Sequence, residues 1–149
     1  LAVQYGINDE RLARWRMRRW VLGALQAADT AGIDQVTLTI RLVGQREGKT
    51  LNQTYRHKDD ATNVLTFDYD SAPGQERCII ADIVICTPVL KVEAKSQHKT
   101  YLHHAAHLVV HGTLHALGYD HLEAEQAIAM ESIETRVLER WGIADPYAS

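Results

Sequence analysis

The sequence predicts an α+β fold, a small mixed β-sheet packed with several helices, and three observations predict it. From Gln35 to Val43, Val36, Leu38, Ile40 and Leu42 alternate with Thr37, Thr39 and Arg41, the period of two of a half-buried strand. Toward the C-terminus, two helical stretches stop at Gly118 and Gly142, residues suited to ending a helix. Strand-like and helix-like segments are mixed rather than regularly alternating, which favours α+β over a doubly wound parallel sheet.

The elements follow in order. Glu10 to Ala28 is rich in helix formers and free of proline, so a helix is expected, although its apolar residues and arginines do not divide cleanly into two faces. After the strand at 35–43, Leu51 and Tyr55 stand four apart in a predicted helix from Glu47 to about Arg56. The polar loop "HKDDAT" leads into the β-rich "NVLTFDY". Pro73-Gly74 marks a turn, and "CIIADIVIC" then reads as a strand covered on both faces, paired with its predecessor as an antiparallel hairpin. Thr87 and Pro88 look like the cap and first residue of a short helix to Lys95. Helices are expected from Thr100 to Leu117 and from Leu122 to Trp141, the latter with Met130, Ile133, Val137 and Trp141 along one side. With no internal repeat, low-complexity segment or linker, residues 1–149 are expected to form one domain.

Composition narrows the function classes. An apolar content of 46% with 23% charged residues is that of a soluble globular chain. No apolar run approaches the roughly 18 residues of a membrane span, and the N-terminus lacks a secretory apolar core, so a cytosolic protein without a membrane partner is expected. Cys78 and Cys86 would lie too far apart to bridge on one strand and read as reduced packing residues. A net charge of −3 argues against nonspecific polyanion binding, but the average hides "RLARWRMRRW", with five arginines between Arg11 and Arg19. The simpler reading is a solvated helix face with Trp15 and Trp20 packing inward; the alternative is phosphate contact and base stacking.

The chemistry concentrates in "HGTLHALGYDH", from His111 to His121. On a helix, residues four apart lie one above the other, so His111 and His115 can aim at one point. Gly118 can end the helix in a left-handed conformation and let the chain turn back, bringing His121 in from a third direction. Three imidazoles suit one zinc ion and leave a fourth tetrahedral position open, the catalytic rather than the structural arrangement; nickel, cobalt or copper would fit the same nitrogens. The spacing is that of the metzincin peptidases, H-E-x-x-H-x-x-G-x-x-H, so the metal-site helix is metzincin-like, but Gly112 stands where their glutamate acts as general base. Glycine cannot take a proton. A substrate other than a peptide is therefore expected.

"HGTLHALGYDH", "LNQTYRHKDDATNVLTF" and "ADIVIC" together resemble the bacterial YbeY family of endoribonucleases, over a stretch from about Val36 to Tyr147. The resemblance implies a small α+β fold and one zinc held by His111, His115 and His121. It also implies cleavage of single-stranded RNA in ribosomal RNA processing, with maturation of the 3′ end of small-subunit 16S rRNA, and a part in ribosome quality control. The implied partners are small-subunit rRNA, the ribosome or its small subunit, and assembly factors. The family's functional arginine falls on Arg56. Its guanidinium fork suits a nonbridging phosphate oxygen whose charge grows in the transition state. Within the resemblance, His57 and Ala81 replace usual glycines and Thr66 a usual serine, positions that bear on the RNA-facing groove rather than on the metal.

Other candidates are weighed beside these. Asp82 interrupts an apolar strand and needs a partner: a metal-bound histidine, Arg56, or a purely structural hydrogen bond. Asp120 reads as a cap of the last helix in preference to a proton acceptor. His107, one turn before His111, reads as a core or supporting histidine rather than a ligand; His98, His103 and His104 read as surface residues, and Met130 as core packing. The rival functions are a non-catalytic ribosome-assembly factor with a structural zinc, and a zinc peptidase without the usual base.

Overall fold

The strict alternation at 35–43 folds as the strand it predicts, β2 (Gln35–Val43), with Leu38, Ile40 and Leu42 at most 2% exposed. The computed structural model describes residues 1–47, 62–69, 77–119 and 123–147. Most of the predicted helix from Glu47 to Arg56, together with Arg56, Asp120 and His121, lies outside them.

Three further strands join β2: β1 (Ala2–Tyr5), β3 (Thr62–Tyr69) and β4 (Cys78–Cys86), in the spatial order β1-β2-β4-β3. β1 and β4 run parallel to β2, and β3 runs antiparallel to β4, so the sheet is mixed and the expected β3–β4 antiparallel pair is present. A parallel pair cannot be joined by a tight turn; helix α1 (Arg14–Ala27) makes the crossover from β1 to β2. β1 was not expected, because four residues carry too little periodicity to separate a strand from a coil.

Helices α1, α2 (Thr87–Ser96), α3 (Tyr101–Ala116) and α4 (Ala124–Arg140) complete the described elements. α1 buries Met17, Trp20, Val21 and Ala24, the three-and-four spacing of a helix stripe. Exposed Trp15 and Leu22 on its outer side are what blur that stripe in the sequence. α2 begins one residue earlier than expected: Cys86 is its cap, and Thr87 is a buried first-turn residue whose hydroxyl donates to the Val43 carbonyl at 3.5 Å.

β4 is covered on both faces only at its C-terminal end, which corrects the expectation drawn from its apolar run. Ile79, Ala81, Ile83 and Ile85 face the helices and are at most 1% exposed. On the other face Val84 and Cys86 join Val43 in a small cluster, while Ile80 is 42% exposed. Asp82 shares that open face. The two cysteines sit at opposite ends of the strand and are free thiols.

α3 is fixed at both ends. The Thr100 side chain accepts from the His103 amide at 3.1 Å, capping the start. At the other end Gly118 has φ +104, its amide donates to the His115 carbonyl at 3.0 Å, and the Tyr119 amide donates to the Leu114 carbonyl at 3.1 Å. Together these bonds form a Schellman stop. The Asp29 amide donates to the Tyr119 hydroxyl at 3.0 Å and ties the departing chain to the end of α1. A Cβ at Gly118 would meet nothing within 4 Å, so Gly118→Ala tests the backbone alone. It should cost about 1–2 kcal/mol in urea unfolding, the penalty of a left-handed residue.

Candidate metal centre

α3 is built on its own gradient of burial. Ala105, Ala106, Val109, Val110 and Leu114 are fully buried against the sheet and neighbouring helices. His107 and His111 are partly exposed, and His103 and His115 are exposed. The histidine row therefore runs along the boundary between core and solvent, with His111 and His115 one turn apart. The rings of His107 and His111 meet edge-on, with centroids 6.0 Å apart.

Beneath this row lies a residue the sequence reading passed over. Glu134 on α4 is 0% exposed, and its carboxylate accepts from His111 Nδ1 at 2.6 Å and from His107 Nε2 at 3.2 Å. The Tyr147 hydroxyl donates to the same carboxylate and lies 3.2 Å from His107 Nε2. Burial alone would raise the carboxyl's pKa, but the hydrogen bonds from the two histidines outweigh it and bring it to about 2. Burial holds His107 below the usual histidine range, although Glu134 pulls the other way. Burial, then the adjoining carboxylate, pushes the Tyr147 hydroxyl well up.

An ionised carboxylate only accepts, so the ring nitrogens facing Glu134 must carry the protons. In neutral His111 the proton is then on Nδ1, and the lone pair is on Nε2, across the ring from Glu134. That is how a carboxylate prepares a histidine for a metal: it sets the tautomer, holds the ring and raises its basicity. The donor set of His111 and His115 at helical spacing fits zinc on this observation.

His107, His111 and Glu134 each also place a donor atom within 4.8 Å of the others, a group that could itself hold a metal ion. The separations favour the supporting role for Glu134. Two donors about 2.1 Å from one tetrahedral zinc stand about 3.4 Å apart, whereas His111 Nδ1 and the Glu134 oxygen are 2.6 Å apart, a hydrogen-bond distance.

Gly112 has a steric reason as well as a chemical consequence. It is buried against the sheet, and a Cβ there would stand 3.1 and 3.3 Å from two Ile83 carbons and 3.5 Å from Val64. The position points into the sheet. A glutamate side chain would have no room in this interface, so the peptidase base is excluded by packing as well as by composition.

Among the other sequence candidates, His107 is partly buried with Nε2 3.2 Å from the Glu134 carboxylate, and Met130 is core, at 0% exposure. Asp82 is exposed and makes no hydrogen bond or ion pair among the described residues. It lies on the opposite sheet face from Ile83, which packs against Gly112 of the histidine helix. This corrects the reading of Asp82 as a buried group needing a partner, or as an acceptor for a metal-bound histidine: strand alternation turns it away. His104 is corrected too, since it is 2% exposed and its Nε2 lies 3.0 Å from Glu93 of α2. Glu134 did leave a signal in the sequence. It falls inside the apolar stripe of Met130, Ile133 and Val137, where an unpaired carboxylate would be costly.

Comparison with known proteins follows the same lines. The family model described as Endoribonuclease YbeY matches residues 3–142. The chain is 58% identical to the Endoribonuclease YbeY of Bordetella pertussis, over 99% of this chain and 94% of that protein. It is 53% identical to that of Bordetella avium, over 99% and 92%, and 50% identical to that of an Acidovorax species, over 93% and 84%. Among solved structures, a Thermotoga maritima protein determined in solution shares the fold with a TM-score of 0.54 at 23% identity, over 99% of this chain and 96% of that one.

Proposed function

The chain belongs to the Endoribonuclease YbeY family, and from that premise we propose that it is a zinc-dependent endoribonuclease acting on single-stranded RNA. The proposed ligands are His111, His115 and His121, with Arg56 binding the scissile phosphate. The proposed setting is ribosomal RNA processing in the cytoplasm, at the 3′ end of 16S rRNA and in ribosome quality control, with the small subunit and its assembly factors as partners. The observation that carries the site assignment is the buried Glu134 carboxylate on His111 Nδ1 at 2.6 Å.

Zinc in such a site supplies Lewis acidity toward a phosphoryl oxygen. The chain's own residues do the rest. Glu134 keeps His111 in one tautomer and one orientation, and His107 and Tyr147 satisfy the remaining carboxylate oxygen. Arg56 binds the nonbridging oxygen on which charge develops, and Gly112 contributes no base. A single strand is preferred because in-line attack needs a backbone free to rotate, which a duplex restrains. Water and the neighbouring ribose hydroxyl are the two candidate nucleophiles. A 2′,3′-cyclic phosphate product assigns ribose attack; a 5′-phosphate with a 3′-hydroxyl assigns water.

The deciding experiment pairs metal analysis with cleavage of an unstructured RNA. Arg56→Ala should keep its zinc and lose about 10²–10³-fold in cleavage rate, the scale of removing one transition-state donor. His111→Ala should lose both metal and cleavage. Cleavage that persists in metal-depleted His111→Ala belongs to a contaminant and sinks the assignment; zinc-dependent cutting of unfolded polypeptide would replace it with a peptidase.

A further inference from the structure

We propose that the groove between α1 and the C-terminal end of α4 binds single-stranded RNA, as a second contact apart from the metal centre; this rests on the endoribonuclease reading. The groove has a volume of about 400 Å³ and is lined by Trp15, Arg18, Arg19, Leu22, Arg140 and Trp141 among others, with no carboxylate.

Charge is the first observation. On a chain with a net charge of −3, Arg18, Arg19 and Arg140 converge on one groove, all exposed and none in an ion pair among the described residues. Like charges gathered without neutralisation repel one another, and a polyanion relieves that repulsion while releasing its counterions.

The aromatic residues are the second. Of the two tryptophans on α1, Trp20 packs inward at 5% exposure, but Trp15 is 61% exposed at the groove rim. The packing reading of the arginine-tryptophan segment therefore holds for Trp20 and fails for Trp15. The Arg16 guanidinium lies 4.8 Å from the Trp15 ring centroid, and that of Arg19 lies 5.8 Å from the Trp141 ring centroid. Trp141 is seated by Gly23, where a Cβ would fall 2.6 Å from the indole. A glycine within a helix costs about 1 kcal/mol relative to alanine, and here it makes room for the groove's aromatic wall.

Guanidinium groups interleaved with flat aromatic surfaces match a nucleic acid whose bases are unpaired: phosphates meet the arginines and a base face meets Trp15. A duplex hides those faces, and an acidic protein would use the arginines without the indole. The two sites share α4. Glu134 supports His111, and Trp141 comes seven residues later, about 10 Å along the helix axis.

The test measures binding of a fluorescent 2′-O-methyl oligouridylate of about ten nucleotides, a length within the usual single-strand site size, to the full metal-loaded chain across a salt series. Arg18→Ala/Arg19→Ala should weaken binding about tenfold and flatten the log–log salt dependence by about 1.4, the slope of two lost phosphate contacts on a single strand. Trp15→Ala should weaken binding about tenfold and remove most of the tryptophan quenching that the oligonucleotide causes. Lys91→Ala/Lys95→Ala, the same charge change on exposed α2, should alter neither affinity nor slope. The proposal is overturned if the parent chain does not bind the probe, if the arginine pair or Trp15 can be removed without effect, or if the lysine pair gives an equal loss. Equally tight binding of a duplex, or of polyglutamate of matched charge, overturns it in favour of a plain anion-binding or acidic-protein surface. These readouts do not depend on cutting, so failure of the groove leaves the Arg56 experiment intact, and the reverse.

Discussion

Glu134→Ala is expected to lower zinc affinity by about 10- to 100-fold and to destabilise the metal-free fold by about 3–5 kcal/mol. The first effect follows from the 2.6 Å bond to His111 Nδ1: without its acceptor the ring can rotate and change tautomer, and its lone pair is no longer fixed. The second follows from burial. Removing the carboxylate leaves two histidine N–H groups and the Tyr147 hydroxyl without their shared acceptor. Competition with a chromophoric chelator measures the first effect, and urea unfolding in the presence of a chelator measures the second. Glu134→Gln separates them, because it keeps the volume and one acceptor but not the charge. An unchanged zinc affinity in Glu134→Ala would falsify the supporting role, and a loss far beyond 100-fold would make Glu134 a direct ligand beside His107 and His111.

Gly112→Glu is expected to be the most damaging single change on the histidine helix. It restores the peptidase motif letter for letter, yet the added side chain would enter the contact between α3 and the sheet, where even a Cβ stands 3.1 Å from Ile83. A buried, unpaired carboxylate in an overpacked interface should cost more than about 4 kcal/mol, enough to abolish soluble folded protein. Gly112→Ala separates size from charge. Its helix-propensity gain of about 1 kcal/mol offsets a packing cost of about 1–3 kcal/mol, so the net loss should not exceed about 2 kcal/mol. A stable Gly112→Glu protein with peptidase activity would show that this position faces the metal after all.

Much of the fold was legible because its signals are local. The alternation in β2 and the Gly118 stop each depend on a few consecutive residues. β1 was missed because a four-residue strand earns its identity from pairing with β2, a contact distant in sequence. β4 looked uniformly buried because an apolar run does not record which face the helices leave open. The centre divides along the same line. Helical spacing puts His111 and His115 on one face, but nothing in the motif points to Glu134, 23 residues beyond His111.

By itself, the sequence determined the chemistry on offer: an imidazole set at metal-binding spacing, a helix that ends where the chain must turn, and no base at Gly112. Tertiary structure alone decided how that chemistry is held. Docking α4 beside α3 brings Glu134 under His107 and His111, strand alternation turns Asp82 away from them, and the meeting of α1 with α4 sets Arg18 and Arg19 beside Arg140. The physical reason is reach. Periodicity and capping act within a few residues, whereas the energy of a buried charge depends on groups that only folding makes neighbours.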